Sequence, residues 1–484
     1  MMRLILNEVK KILKNKLNLF VILAMIIGMG IVSYLNLSPE DIPLYLDQTP
    51  IVLKTFEGKE LKNIEEVKAY KHEILSKYHK KADASLWEQY KKDYNNYYKE
   101  FTKQYNDAMM KKTYGKDYLD IFKQIKGQVS EEDAMKYMNM AEDSPYSFSD
   151  FSISDYNAET KTVILPAFYE KQGELYMLNY IYRGTYDASY VSQASGSGEA
   201  LLTDADRFNQ NPLYYMSHKD KLEESALSSI DMKNSALKTL NLNQIKQTIK
   251  NNDFVFGDTS DMEQFIGLLT KFTFFTLLVS AIVLANSFSI ENHNKTDQVI
   301  VPSKTGYKNI TIAKLTAGFL VAFTTVLLQL LVVLMIANLK LNLDGWDCSM
   351  TKEIFLSVYS YKEYTLLFIG LLLLATFVIS MLTMALSFFT KNQFITIIIM
   401  FLFVMTPYFA TLFMPVDILR FTPSIMLEPN YYLIPNVYYG FPYLSVFSHA
   451  LMWKTFIAMF WLLCGVVLIA VMLVKAKRHY VENR

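Results

Sequence analysis

Cysteine is almost missing: the chain has two in 484 residues, Cys348 and Cys464. Cys464 falls inside an apolar run, which places the pair poorly for a disulfide, and residues 38–262 contain no cysteine. A lobe exported without disulfides fits an envelope that does not rely on oxidation machinery, as in many Gram-positive bacteria. Arginine is scarce too, six among 48 basic residues. With abundant Ile, Asn, Tyr and Phe, that bias fits an AT-rich genome, a hint about the source rather than a physical constraint. Net charge is only +1, so no bulk field points to nucleic acid as a partner.

Catalytic signatures are absent as well. There is no Gly-x-x-x-x-Gly-Lys-[Ser/Thr] run, because Gly58-Lys59 and Gly115-Lys116 lack both the earlier glycine and the following hydroxyl. The chain therefore has no ATP-binding phosphate loop of its own. No His-Glu-x-x-His occurs, and His72-Glu73 with His79 has the wrong spacing for two ligands on one helical face. The six histidines are scattered, and Ser195-Gly196-Ser197-Gly198 reads as a linker rather than a nucleophile elbow. No catalytic, cofactor-binding or metal site is expected, and a membrane enzyme finds no support.

What the chain does have is six apolar runs, each long enough for a bilayer that needs about 20 residues per helix. They cover approximately 17–37, 265–289, 311–337, 364–389, 393–413 and 453–474. Backbone cannot face lipid unpaired, so each run reads as a helix. Charge is nearly excluded from them. Lys314 and Lys454 sit at span ends, and Lys271, about two turns inside span two, can snorkel to the headgroups. Without an Asp, Glu or Arg chain in the spans, ion-coupled transport is poorly supported. Thirteen basic residues flank one set of span ends, from Arg3, Lys10, Lys11, Lys14 and Lys16 through Lys295, Lys304, Lys308 and Lys391 to the C-terminal group. The two short opposite loops carry four: Lys340, Lys352, Lys362 and Arg420. Both termini are therefore expected in the cytoplasm of a bacterial plasma membrane, with the insert between spans one and two outside. The first run is too long for a cleaved signal peptide and ends at Tyr34, Leu35, Asn36 and Leu37 without small residues at a cleavage spacing.

Residues 1–16 read as an amphipathic interfacial helix, with Met2, Ile5, Leu6, Val9, Ile12 and Leu13 on one face and Arg3, Asn7, Lys10, Lys11 and Lys14 on the other. Leu4 is the one apolar residue out of place. The insert, 38–264, reads as a mainly helical mixed α/β extracellular domain. Leu86, Tyr90, Tyr94, Tyr97, Phe101, Tyr105 and Met109 step by three or four, the mark of a buried helix face rather than of a ligand grip. Ser130 with Asp133 resembles a capping box. Thr162–Leu165 and Tyr176–Tyr186 suggest short strands, Ser192–Gly198 a loop, and 218–250 helix.

One segment carries a functional signal. Glu291 ends span two, Lys295, Thr296, Asp297, Gln298, Val299, Ile300 and Val301 follow, Pro302-Ser303 breaks the run, and Lys314 opens span three. A short helix with an apolar middle, Val299–Val301, can press into a partner's groove, and Pro302 stops it. This pattern resembles the loop of exporter-type (type 2) permease subunits of bacterial ATP-binding-cassette transporters, in the subset with a large extracellular domain between spans one and two. The resemblance implies a coupling loop at 290–310 that docks on a separate ATPase subunit, which would bind the ATP. It also implies a second permease copy or homologue beside the membrane lipid, and an amphipathic substrate such as a peptide, antibiotic or lipid. Glu291, Thr296, Asp297, Val299, Ile300, Val301 and Pro302 would then couple to the ATPase, with Glu291 holding the elbow. Family members often place short external helices between spans five and six, where residues 414–452 are long and aromatic. Gly28 and Gly30 allow close helix approach, either to a second subunit or within the chain, and Pro407 is a candidate kink in a pathway helix. The alternative is an envelope scaffold related to type VII secretion and phage-receptor membrane proteins, although its inserts are more continuously coiled.

Overall fold

The computed structural model describes residues 1–37, 45–46, 49–50, 53–114, 156–157, 162–163, 173–183, 212–229, 235–293, 306–352, 355–413, 421–424, 443–446 and 449–482. They group into two compact units. One holds Met1–Ser38, Ser225–Lys250 and Thr259–Arg484, and the other holds Pro39–Glu224 with Asn251–Asp258. Ser225–Lys250, read above as the end of the insert, thus groups with the long apolar helices.

The first unit is helical. It opens with α1 (Met2–Lys14) and α2 (Lys16–Asn36), separated by Asn15, whose backbone is extended at φ −65° and ψ 115°. Asn15 Oδ1 accepts the amides of Leu17 (3.0 Å) and Asn18 (3.5 Å), so the residue that ends α1 also caps α2. Five helices of this unit are long and apolar enough to cross a membrane, among the described residues and by length and composition. A sixth, Gln393–Phe413, has a shorter apolar stretch, Gln393–Pro407. The protein is therefore a mostly helical, multi-pass membrane protein.

The helix ends follow local chemistry. Ser360 and Glu363 form a reciprocal capping box at the start of the helix Tyr361–Thr390, and Lys391 closes its far end in the left-handed conformation at φ 53°. Inside this helix the hydroxyls of Thr365, Thr376 and Thr383 donate to carbonyls four residues back, so polar side chains cost little in apolar surroundings. The core of the unit joins Ile12, Ile22, Val283, Leu284, Phe288, Leu315, Val321, Met381, Met384 and Met472. Two glycines mark close approaches. A Cβ on Gly318 would lie 2.5 Å from Met384 Sδ, and one on Gly465 would lie 2.8 Å from the Phe377 ring.

Two antiparallel hairpins were not anticipated. Ser349–Lys352 pairs with Phe355–Ser360, and Tyr443–Val446 pairs with His449–Met452. The second occupies part of the 414–452 loop, for which short helices were expected. Phe421 in that loop packs on Trp453 (ring centroids 4.5 Å) and accepts the Trp461 indole N–H at 2.7 Å.

The second unit centres on tyrosines. Its helices are α3 (Ile64–Ser76), α4 (Ala84–Tyr114), α5 (Gly173–Arg183) and α6 (Pro212–Ser217). Asn63 caps α3 through the Glu66 amide, and Asp83 Oδ1 accepts the Leu86 amide at 2.8 Å to cap α4. Leu86, Tyr90 and Tyr94 are buried, as the stripe predicts; Tyr97 is only half-buried, and Trp87 and Tyr98, outside the stripe, are buried as well, while side chains beyond residue 100 of α4 lie outside the described residues. The strand expected from Tyr176 is a helix instead as far as Arg183, and the rest of that reading, 184–186, lies outside the described residues. Met177, Leu178, Tyr180, Ile181 and Tyr182 are all buried, and such a close-set apolar run fits a buried strand as readily as a helix. Tyr78 donates to Asp93 (2.7 Å) and shares a 2.8 Å hydrogen bond with Tyr182, while Tyr90 donates to the Tyr182 carbonyl at 2.7 Å. Burial pushes the Tyr78 and Tyr182 phenols well above the ordinary range. Gly58, at φ +85°, turns the chain between the bridged residues Lys54 and Glu60, where a side chain would be strained. Thr162–Val163 is a strand as expected, paired with Tyr156–Asn157. The readings at Ile164–Leu165, Ser130–Asp133 and Ser192–Gly198 lie outside the described residues.

Candidate functional site

The remaining helices follow in chain order as α7 (Lys219–Ser229), α8 (Ser235–Asn251), α9 (Ser260–Leu284), the short α10 (Ser289–His293), α11 (Gly306–Lys340), α12 (Tyr361–Thr390), α13 (Gln393–Phe413) and α14 (Trp453–Glu482). The segment singled out in the sequence joins α9 and α10 to α11. Its base is a knot of charge. Lys314, on the third turn of α11 and 3% exposed, places Nζ 2.9 Å from Glu291 Oε1, 3.2 Å from Glu8 Oε2 and 2.6 Å from the Ser287 carbonyl. Glu8 and Glu291 are themselves buried, at 7% and 6% exposure. Lys11, on the surface, reaches Glu8 and comes within 3.8 Å of Glu291. Among the described residues two carboxylates meet two ammonium groups, and Lys314 is the cation that both carboxylates share at close range. Its Nζ also stands 5.4 Å over the Phe288 ring.

Local backbone chemistry builds this knot. After Leu284 the chain turns through Ala285–Phe288 into α10. The turn is anchored by Ser387 of α12, whose Oγ accepts the amides of Phe288 and Ser289 at 3.2 Å each. The turn aims the Ser287 carbonyl at Lys314 and leaves Glu291 one turn further on. From the other side, Asn18 Nδ2 donates to the carbonyls of Ile12 and Val283, both at 3.1 Å, so α1, α2 and the end of α9 share one amide.

Helix α1 carries three sectors rather than two. Leu4, Ile5, Glu8 and Ile12 turn toward the chain; Met2, Leu6 and Leu13 are exposed and apolar; Arg3, Lys10, Lys11 and Lys14 are exposed and basic. Leu4, which looked misplaced on a two-faced helix, precedes Glu8 by one turn on the inward sector. Glu8 was missed. Its signal was that it is the sole acidic residue of a basic helix.

Of the residues selected from sequence, Glu291 lies in this cluster. Thr296, Asp297, Val299, Ile300, Val301 and Pro302 lie outside the described residues. Gly28 meets nothing within 4 Å of an added Cβ, whereas Gly30 faces Val332 and Ile336 of α11 at 3.5 and 3.7 Å, the within-chain alternative. Pro407 sits inside α13, buried, where it withholds one helical hydrogen bond. Lys314, near the start of its span as read, proves also to be a buried, twice-paired charge. Lys271 is exposed.

The chain matches the family described as ABC-2 family transporter protein over residues 18–475. That stretch spans nearly the whole sequence, and the chain belongs to this family. It is accordingly the membrane-spanning permease component of an ABC transporter, and its family implies an ABC ATPase as partner. Comparison with curated proteins and with solved structures gave no match. The matched stretch begins after α1, so Glu8 and Lys11 lie outside it.

Proposed function

We propose that this permease works as an exporter subunit, moving an amphipathic substrate with force delivered by a separate ATPase at the 290–310 loop. The observation that carries the reading is the Lys314–Glu291 pair. It ties α10, which follows α9 through the Ala285–Phe288 turn, to the third turn of α11, so a push on the loop reaches both helices. The distribution of basic residues supports placing this loop and both termini in the cytoplasm, with the 38–264 insert outside a bacterial plasma membrane. Six spans, counting α13, and a second permease copy complete the proposed assembly. The nearly charge-free apolar helices suit an amphipathic cargo better than an ion. Force transmission requires that the loop favour different positions in the two nucleotide states. Family membership gives the scaffold alternative no support.

The test uses the full chain with the ATPase that co-purifies with it. Cysteine placed at Lys308 should be labelled by a membrane-impermeant thiol reagent only after cells are opened, and cysteine at Asn338 in intact cells. Labelling of Lys308→Cys in intact cells would put the loop outside and end the proposal. Altering Glu291 should then lower substrate-stimulated ATP turnover.

A further inference from the structure

Neutralising Lys314 requires one carboxylate, and Glu291 at 2.9 Å already supplies it. The structure buries a second one, Glu8, on the same ammonium at 3.2 Å. Burying a carboxylate is costly, and a buried ion pair contributes little net stability compared with apolar packing. Packing also does not need it: Ile12 one turn later already seats α1 in the core with Val283, Leu284, Phe288 and Leu315. What the second carboxylate adds is geometric. It extends the α10–α11 tie to α1, and Asn18 adds a second link by bridging Ile12 and Val283 through their carbonyls. The three sectors of α1 agree with this role. Its inward sector is held by charge, while its apolar and basic sectors remain exposed on other sides. A helix pinned in this way cannot stay still while the base of the loop moves, unless two charges separate in an apolar setting.

We propose that Glu8 is a positioning residue in force transmission: through Lys314 it makes α1 and the base of the 290–310 loop travel as one body. This inference rests on the proposal that an ATPase drives the permease through that loop. It adds to that reading that α1, outside the family-matched stretch, belongs to the moving part.

The experiment places spin labels at Lys10→Cys and Lys308→Cys, both exposed, in the full chain bound to its ATPase in lipid nanodiscs. The native cysteines Cys348 and Cys464 are replaced by serine and alanine. The distance between the labels is measured without nucleotide and in the ADP–vanadate state formed by turnover of ATP. The expected result is one narrow distance distribution, unchanged between the two states. With Glu8→Gln, where Lys314 keeps Glu291, the distribution broadens or shifts between the nucleotide-free and trapped states. Substrate moved per ATP hydrolysed then falls by about fivefold or more, the lower end of ordinary coupling between sites. ATPase binding stays intact. A shift of about one helical turn, ~5 Å, between states in the parent overturns the proposal without reference to any variant. An unchanged transport-to-hydrolysis ratio in Glu8→Gln overturns it too. Failure of the underlying reading looks different: the parent itself then shows no ATP-dependent transport.

Discussion

Replacing Lys314 by Met removes the shared cation and leaves an apolar stem of similar length. Glu8 and Glu291 are then stranded, both more than nine-tenths buried, in a space that held them within 3.2 and 2.9 Å of one ammonium. Breaking a buried pair from one side costs about 3–5 kcal/mol. Lys11 still reaches Glu8 and lies 3.8 Å from Glu291, but it is exposed and solvent-screened, which favours the lower end of that range. At about 1.4 kcal/mol per tenfold change, even 3 kcal/mol shifts the folded-to-unfolded ratio by roughly a hundredfold. The assay is thermal denaturation of the detergent-solubilised protein at pH 8, followed by fluorescence-detected gel filtration. Lys314→Met should melt well below the parent. The triple variant Lys314→Met, Glu8→Gln, Glu291→Gln should recover most of the loss, because a fully neutral set strands no charge. Parent-like melting of Lys314→Met would refute the reasoning, and so would a triple variant no better than the single one.

Four further outcomes follow from particular contacts. Asp83→Ala removes the cap of α4 and should destabilise the second unit by about 1 kcal/mol in urea unfolding. The Ser85 hydroxyl and then the Leu86 amide hold the Asp83 carboxyl below its ordinary range. Its contribution is therefore present above the unfolded-state value and lost as pH falls through the lower folded-state value, so Asp83→Ala should match the parent at strongly acid pH. Burial, reinforced in Tyr78 by Tyr182, raises the Tyr78 and Tyr182 phenols. Their contribution is complete below pH ~10 and disappears as pH rises further, so the ultraviolet tyrosinate signal of these two should appear only with alkaline unfolding. Gly465→Val should destabilise the helix packing by about 1–3 kcal/mol in a melting assay, because its Cβ would press on the Phe377 ring. Gln329 is 1% exposed with neither amide atom paired, so Gln329→Leu should melt at or above the parent temperature.

The long helices were legible because lipid leaves the backbone no other solution: an apolar run of sufficient length must be helical whatever it packs against. The α4 stripe was legible for a related reason, since one face is buried and the other carries Lys and Glu, so the 3.6-residue period survives in the sequence. α5 was not, because a short run dense in Leu, Ile and Tyr fits a buried strand and a helix alike. The two short hairpins were hidden differently. Phe355–Ser360 and Tyr443–Val446 are brief, and strands of four to six residues leave too few alternations of apolar and polar positions to mark them in the sequence.

The site was half legible, and the missing half follows from how amphipathic helices are read. Sorting α1 into apolar and basic faces assumes two environments, yet a helix lying against both bilayer and protein has three. Under two faces Leu4 is an anomaly and Glu8 an unremarkable polar residue. Under three, both fall on one sector with Ile12, spaced by four. The lone carboxylate on a helix with Arg3, Lys10, Lys11 and Lys14 is then informative: on the exposed basic side it would face water and neighbouring cations, whereas inward it needs a buried cation as partner. Lys314 was visible as the basic residue entering a span, and Glu291 as the acidic residue leaving one. Neither position alone says whether the charge faces water. The turn at Ala285–Phe288, pinned by Ser387 of a helix about a hundred residues away, decides that, and a contact of such long sequence separation leaves no local pattern to read.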